Sequence, residues 1–180
     1  MRWLILLLTI PFSLLSSQST FASKQAVAID YLHGESDLSG IRLAYRPHNT
    51  QLTNFEWLGS LDLYWEVSLN FWEFGQDKQH ETNYAIALSP VFSKQLNMLY
   101  NKYPLKFELG IGVSLITDTR FAGKDIGSHY QFEDRLGLIL EFGEQLEKSV
   151  AMRYMHYSNG GLNDDNPGLD FLNLSYAREF

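Results

Sequence analysis

From Ala26 onward the chain alternates apolar and polar residues with a period of two, the pattern of strands that present one apolar face. Val27, Ile29 and Tyr31 alternate with Ala26, Ala28 and Asp30; after a turn from Gly34 to Gly40, Ile41, Leu43 and Tyr45 alternate with Arg42, Ala44 and Arg46. The longest run sets Leu61, Leu63, Trp65, Val67, Leu69 and Phe71 against Asp62, Tyr64, Glu66, Ser68 and Asn70. A charged loop, Gln76 to Thr82, leads to a fourth strand with Tyr84, Ile86 and Leu88, which the pattern supports only as far as Pro90. The fifth strand alternates Phe107, Leu109, Ile111, Val113 and Leu115 with a polar side containing Gly110 and Gly112, as crowding inside a closed sheet would require. The sixth carries Phe132, Leu136, Leu138, Leu140 and Phe142, its apolar face interrupted by Asp134. On the seventh, Val150, Met152, Tyr154, His156 and Ser158 share a face; on the eighth, Asp170 aligns with Leu172, Leu174, Tyr176 and Phe180.

Eight strands of roughly ten residues separated by turn signals predict an all-β fold, an eight-stranded antiparallel transmembrane β-barrel. The even count returns both termini to one side. Periodicity alone does not orient the faces, and a soluble lipocalin-like barrel would have an apolar lining and a polar exterior. Three features favour apolar-outward: aromatics near strand ends, polar faces carrying both charge signs, and a terminal Phe180 on the apolar face, which resembles the assembly signal of bacterial outer-membrane barrels.

Composition narrows the setting. The apolar run from Trp3 to Leu15 falls short of the ~20 residues that span a bilayer as a helix, and with Thr20 and Ala22 after it residues 1–22 read as a secretory signal peptide. Residues 23–180 then form one barrel domain. The 180-residue chain has 14 basic and 21 acidic side chains; removing the segment that contains Arg2 leaves 13 and 21, a formal charge of −8. That charge argues against a nucleic-acid partner. The absence of cysteine excludes disulfides, thiolate metal sites and a cysteine nucleophile, and export without disulfides fits a bacterial envelope.

The candidate chemistry lies where the seventh strand ends. His156 and Ser158 stand on one face, roughly 7 Å apart along the backbone, and a loop with Asn159, Gly160, Gly161, Asn166 and Pro167 returns the chain to Asp170. A histidine able to activate the hydroxyl, oriented by a carboxylate, is the arrangement of a serine hydrolase. If the apolar faces meet lipid, these groups face lipid too, where ionisable side chains are costly and usually functional. With both termini periplasmic, the site lies at the extracellular rim. His33, His48, His80 and His129 lack metal-ligand spacing, and no metal or organic cofactor is called for.

The stretch HYSNGGL at 156–162 followed by NPGLD at 166–170, FELGIGV at 107–113 with Thr119 and Arg120, and FEDRLG at 132–137 together resemble the PagL family, lipid A 3-O-deacylases of Gram-negative outer membranes. The resemblance implies a catalytic triad of Ser158, His156 and Asp170, the acid lying fourteen residues after the histidine. It implies oxyanion donors at the Gly161 backbone N–H and the Asn166 side chain, with Asn159 holding the loop, and lipid A or lipopolysaccharide in the outer membrane as substrate. A homodimer is compatible with such a barrel. The acidic position departs from a family member that carries Glu there: Asp170 is one methylene shorter, so its contact with His156 depends on the backbone. Asp164 and Asp165 are its possible substitutes. The alternatives are a non-enzymatic barrel of the OmpX or OmpA kind and an outer-membrane phospholipase.

Overall fold

The computed structural model describes residues 24–55, 59–75 and 80–180. The expected signal peptide, 1–22, lies outside the described residues.

Eight long strands close into an antiparallel barrel: β1 (Ala26–Gly34), β2 (Leu38–Phe55), β3 (Gly59–Phe74), β4 (Glu81–Leu99), β5 (Tyr103–Ile116), β8 (Tyr130–Phe142), β9 (Lys148–Ser158) and β10 (Leu169–Glu179), with β10 hydrogen-bonded to β1. Two further strands, β6 (Arg120–Phe121) and β7 (Lys124–Asp125), make a small separate hairpin in the β5–β8 connection. β4 runs well beyond Pro90. Register against β5 is unchanged across the proline, with Leu88 opposite Val113 and Val91 opposite Gly110, so the missing N–H removes a donor without ending the strand.

The alternation resolves into an outside and an inside. Val27, Ile29, Leu69, Ile111, Leu138, Met152 and Leu174 are exposed on the outer wall, whereas Arg42, Glu66, Glu108, Glu133, Arg135 and Arg153 are buried within. Apolar-outward is the membrane arrangement, the reverse of a lipocalin's. An eight-stranded barrel is narrow enough for side chains to fill. The fit is tight: a Cβ built on Gly112 would lie 1.9 Å from Ser89 Oγ, which is why this inward position carries glycine.

The interior has three levels. At mid-depth Asp30, Glu66, Glu108 and Glu133 interleave with Arg42, Arg46, Arg135 and Arg153; Arg42 reaches Asp30 at 3.0 Å and Glu66 at 2.5 Å, Arg135 reaches Glu66 at 2.6 Å and Glu133 at 2.5 Å, and Arg153 pairs with Glu108. Toward one end an apolar cluster that includes Leu32, Trp72, Ile116, Phe121, Tyr157 and Phe171 plugs the lumen. Toward the other a polar recess of about 340 Å³ opens among Lys24, Asp62, Lys106 and Glu141. The plugged end carries the longer connections, 117–129 and 159–168, as the extracellular end of an outer-membrane barrel does, and Lys24 and Glu179, at the outer ends of β1 and β10, lie beside the recess at the opposite, periplasmic end.

Candidate active site

His156, Ser158 and Asp170 come together on the outer wall at the plugged end, and alternation explains how each is held. Within β9 the inward residues are Ala151, Arg153, Met155 and Tyr157, all buried. Tyr157 donates to Glu133 Oε2 at 2.8 Å and packs edge-on against Trp72, with ring centroids 4.8 Å apart. Phe171, the inward neighbour of Asp170, stacks on the same Trp72 at 5.3 Å. Each outward polar residue is therefore flanked in sequence by a side chain locked into the core, which fixes the backbone that presents it.

Register supplies the acid. Asp170 on β10 lies directly opposite His156 on β9, and cross-strand partners have Cβ atoms ~4.5–5.5 Å apart. The shorter aspartate spans this gap: Asp170 Oδ1 is 2.7 Å from His156 Nδ1. The contact expected to depend on the backbone is thus direct, because the backbone places the two residues side by side. Asp164 and Asp165 lie exposed in the loop, and neither hydrogen-bonds His156.

Two outward groups join the row. Asp134 on β8 is the opposite cross-strand partner of His156, so the imidazole stands between two carboxylates and among the described residues is hydrogen-bonded to Asp170. What interrupted the sixth strand's apolar face is therefore a neighbour of the histidine. Tyr154, which the alternation counts simply as an outward apolar residue, directs its hydroxyl to Asp170 Oδ1. Nothing in the periodicity marks it, since a tyrosine on a lipid-facing strand is ordinary near the interface.

Ser158 closes β9. It lies opposite Phe132 and is only 8% exposed, sheltered although its parity is outward. Its hydroxyl and the His156 ring are not hydrogen-bonded to each other among the described residues. Such contacts are commonly loose in a free enzyme and tighten when substrate binds.

The loop after Ser158 is organised by Asn159, which is fully buried. Its backbone N–H donates to Asn166 Oδ1 at 2.9 Å, its Nδ2 donates to Asp165 O at 2.7 Å and to Ile126 O at 3.3 Å, and its Oδ1 accepts from the Gly161 N–H at 2.9 Å. Four hydrogen bonds thus tie Asn159 to the loop and to Ile126. The Gly161 N–H is engaged within this turn, whereas Asn166 anchors through Oδ1 and its Nδ2 has no partner among the described residues. Gly168 has a left-handed φ of 68°, and a Cβ there would fall 2.6 Å from His156 Cε1, so the backbone can lie on the imidazole only as glycine.

The β6–β7 hairpin covers the loop from above. Lys124 Nζ donates to Gly168 O at 3.3 Å and lies 3.8 Å from Glu35, while Asn163 Nδ2 donates to Gly127 O. Of the four histidines set aside in the sequence, His129 Nδ1 contacts Ile116 O at 2.9 Å, His80 lies 3.0 Å from Glu73, His48 contacts the Thr50 hydroxyl, and His33 on β1 lies opposite Leu172 of β10, one strand beyond Tyr154. Among the described residues no group of three or more His, Asp or Glu is arranged to hold a metal ion.

Comparison with known proteins places this arrangement. The family model for lipid A 3-O-deacylase (PagL) matches residues 39–179. The chain is 30% identical to the lipid A deacylase PagL of Pseudomonas aeruginosa over 93% of its own length and 95% of the relative's. It is 33% identical to the lipid A deacylase PagL of Bordetella bronchiseptica over 68% of its own length and 65% of the relative's. The crystal structure of the outer membrane enzyme PagL superposes with a TM-score of 0.65 at 26% identity, covering 85% of this chain and 98% of that one. A closed eight-stranded barrel, an outward His–Asp pair beside a serine, and a family match over most of the chain lead to one assignment: the protein belongs to the PagL family of outer-membrane lipid A 3-O-deacylases.

Proposed function

We propose that this protein is a serine esterase that releases the ester-linked 3-hydroxyacyl chain from position 3 of lipid A, with Ser158 as nucleophile, His156 as general base and acid, and Asp170 as the orienting carboxylate. The observation that carries the reading is the 2.7 Å contact between His156 Nδ1 and Asp170 Oδ1 on the lipid-facing wall at the extracellular rim. A carboxylate accepting from Nδ1–H fixes the tautomer whose Nε2 is free to take a proton.

In the first step Ser158 Oγ attacks the ester carbonyl as its proton passes to His156 Nε2, giving a tetrahedral oxyanion. Collapse breaks the bond to the sugar oxygen, which leaves as the 3-hydroxyl after taking the proton from the imidazolium. Water then attacks the acyl-serine with the same histidine as base, releasing a 3-hydroxy fatty acid and restoring Ser158. Asp170 balances the imidazolium charge throughout. The Asn166 Nδ2 group, left over when its Oδ1 is anchored, is the better-prepared oxyanion donor; Gly161 would serve only by releasing Asn159.

Location supports the substrate. The plugged lumen offers no route to the site from inside, and the polar recess lies at the periplasmic end. An acyl chain in the outer leaflet already lies against the wall that carries His156. Labelling the folded protein with a serine-directed alkyl phosphonate and mapping the adduct tests the nucleophile. Modification at Ser158 that disappears in His156→Ala is expected; modification elsewhere, or none under conditions of full activity, would remove Ser158 from the role.

A further inference from the structure

Tyr154 is outward on β9, 51% exposed, and two residues before His156 on the same face. Its direct cross-strand partner is Leu172, so Asp170 is its diagonal neighbour, at a spacing that only a long side chain bridges. The bond it makes is specific. Its hydroxyl donates to Asp170 Oδ1, the same oxygen that receives His156 Nδ1.

We propose that Tyr154 is a positioning residue for the catalytic acid, clamping the Asp170 carboxylate in the rotamer that meets His156. The proposal rests on the Ser158–His156–Asp170 reading. An aspartate carboxylate turns about its Cβ–Cγ bond through a broad, shallow range. With the histidine as its only donor, that rotation would carry Oδ1 off the imidazole plane. Two donors converging on Oδ1 from different residues remove this freedom. No hydrogen bond to Oδ2 is made among the described residues, so the restraint comes through Oδ1. A short aspartate on a half-exposed wall has few other means of being held, and the Tyr154 ring brings its hydroxyl without adding a charge beside lipid. The phenol gains as well, since a hydroxyl turned toward hydrocarbon without a partner is costly.

The test uses full-length folded barrel in detergent with lipid A in mixed micelles, comparing wild type, Tyr154→Phe, Asp170→Asn and the double variant. Tyr154→Phe keeps the ring and removes only the donor. It is expected to lower kcat by roughly tenfold, the effect of losing one charge-assisted hydrogen bond, with KM within about twofold of wild type. In the Asp170→Asn background the same change is expected to cost less than about twofold, because there is no carboxylate left to hold. A wild-type kcat for Tyr154→Phe, or an undiminished tenfold loss in the Asp170→Asn background, would overturn the proposal. Asp170→Asn with wild-type kcat would instead overturn the triad on which it rests.

A second readout needs no turnover. In protein labelled with 15N-histidine, neutral His156 is expected to be held as the Nδ1–H tautomer, and Tyr154→Phe to move its ring nitrogen shifts toward a mixture of tautomers. A purely structural or lipid-packing role for Tyr154 would leave those shifts unchanged, and that result would contradict the assignment.

Discussion

Away from their periplasmic ends, strands β8 to β10 carry Glu133, Arg135 and Arg153 on the inner face and Asp134, His156 and Asp170 on the outer face. The inner three belong to a set of four carboxylates and four guanidinium groups in which opposite charges alternate and each member lies within 3.6 Å of an opposite charge. The outer three include one imidazole and two carboxylates, with a single strong pairing at 2.7 Å and no arginine or lysine in the row. Buried ions surrounded by partners hold a barrel together; partly exposed ones with spare lone pairs, facing a medium that solvates them poorly, are placed for chemistry. Charge alone therefore does not locate a site in such a barrel. Facing does.

The largest effect is expected at the nucleophile. Ser158→Ala is expected to lower turnover by on the order of 10⁴-fold or more while leaving the heat-modifiable folded barrel intact, measured as deacylation by purified protein. Asp170→Asn comes next. It preserves shape but deprives Nδ1–H of its charged acceptor, and a loss of about 10²–10⁴-fold is expected, again without loss of fold. An unchanged rate would transfer the acid's role to another residue, with Asp134 the nearest candidate.

The inner face is expected to respond in the opposite sense. Glu133→Leu leaves Arg42, Arg135 and Tyr157 without their shared acceptor, so the folded barrel should lose about 3–5 kcal/mol in urea titrations in lipid vesicles. Activity per folded molecule should fall far less than in Asp170→Asn. If Glu133→Leu instead abolished turnover at full stability, the inner network would be part of the chemistry and the contrast would fail. Gly168→Ala crowds the imidazole from the loop side and also strains a positive φ, and should cost roughly ten- to a hundredfold in kcat. The smallest effect is expected at Asp134→Asn, under about tenfold, because this carboxylate adjoins His156 without a hydrogen bond to it.

Strand facing was legible in the sequence because it depends only on a period of two, and the face shared by His156 and Ser158 follows from it. The opposition of Asp170 to His156 was not, because it depends on how β9 and β10 slide past each other, and a two-residue slip would keep Asp170 outward but set it opposite Tyr154 or Ser158. The length of β4 was hidden by Pro90, whose missing donor reads as a strand end but is tolerated in this ladder. The β6–β7 hairpin left no pattern either. Its strands have two residues each, too few for alternation, and its turn at Ala122 and Gly123 lacks the usual Asn-Gly signal despite positive φ at both positions. Tyr154 was obscured for another reason: a residue type that suits a lipid interface also happens to bring a hydrogen-bond donor to the acid.

Cleavage of a lipid A ester through Ser158 is the role proposed for the outward row at the rim. Its most direct test is mass spectrometry of lipid A from cells expressing equal amounts of folded wild type and Ser158→Ala. Loss of one 3-hydroxyacyl chain with wild type and none with Ser158→Ala is the expected result, and the same loss with both would remove Ser158 as the nucleophile.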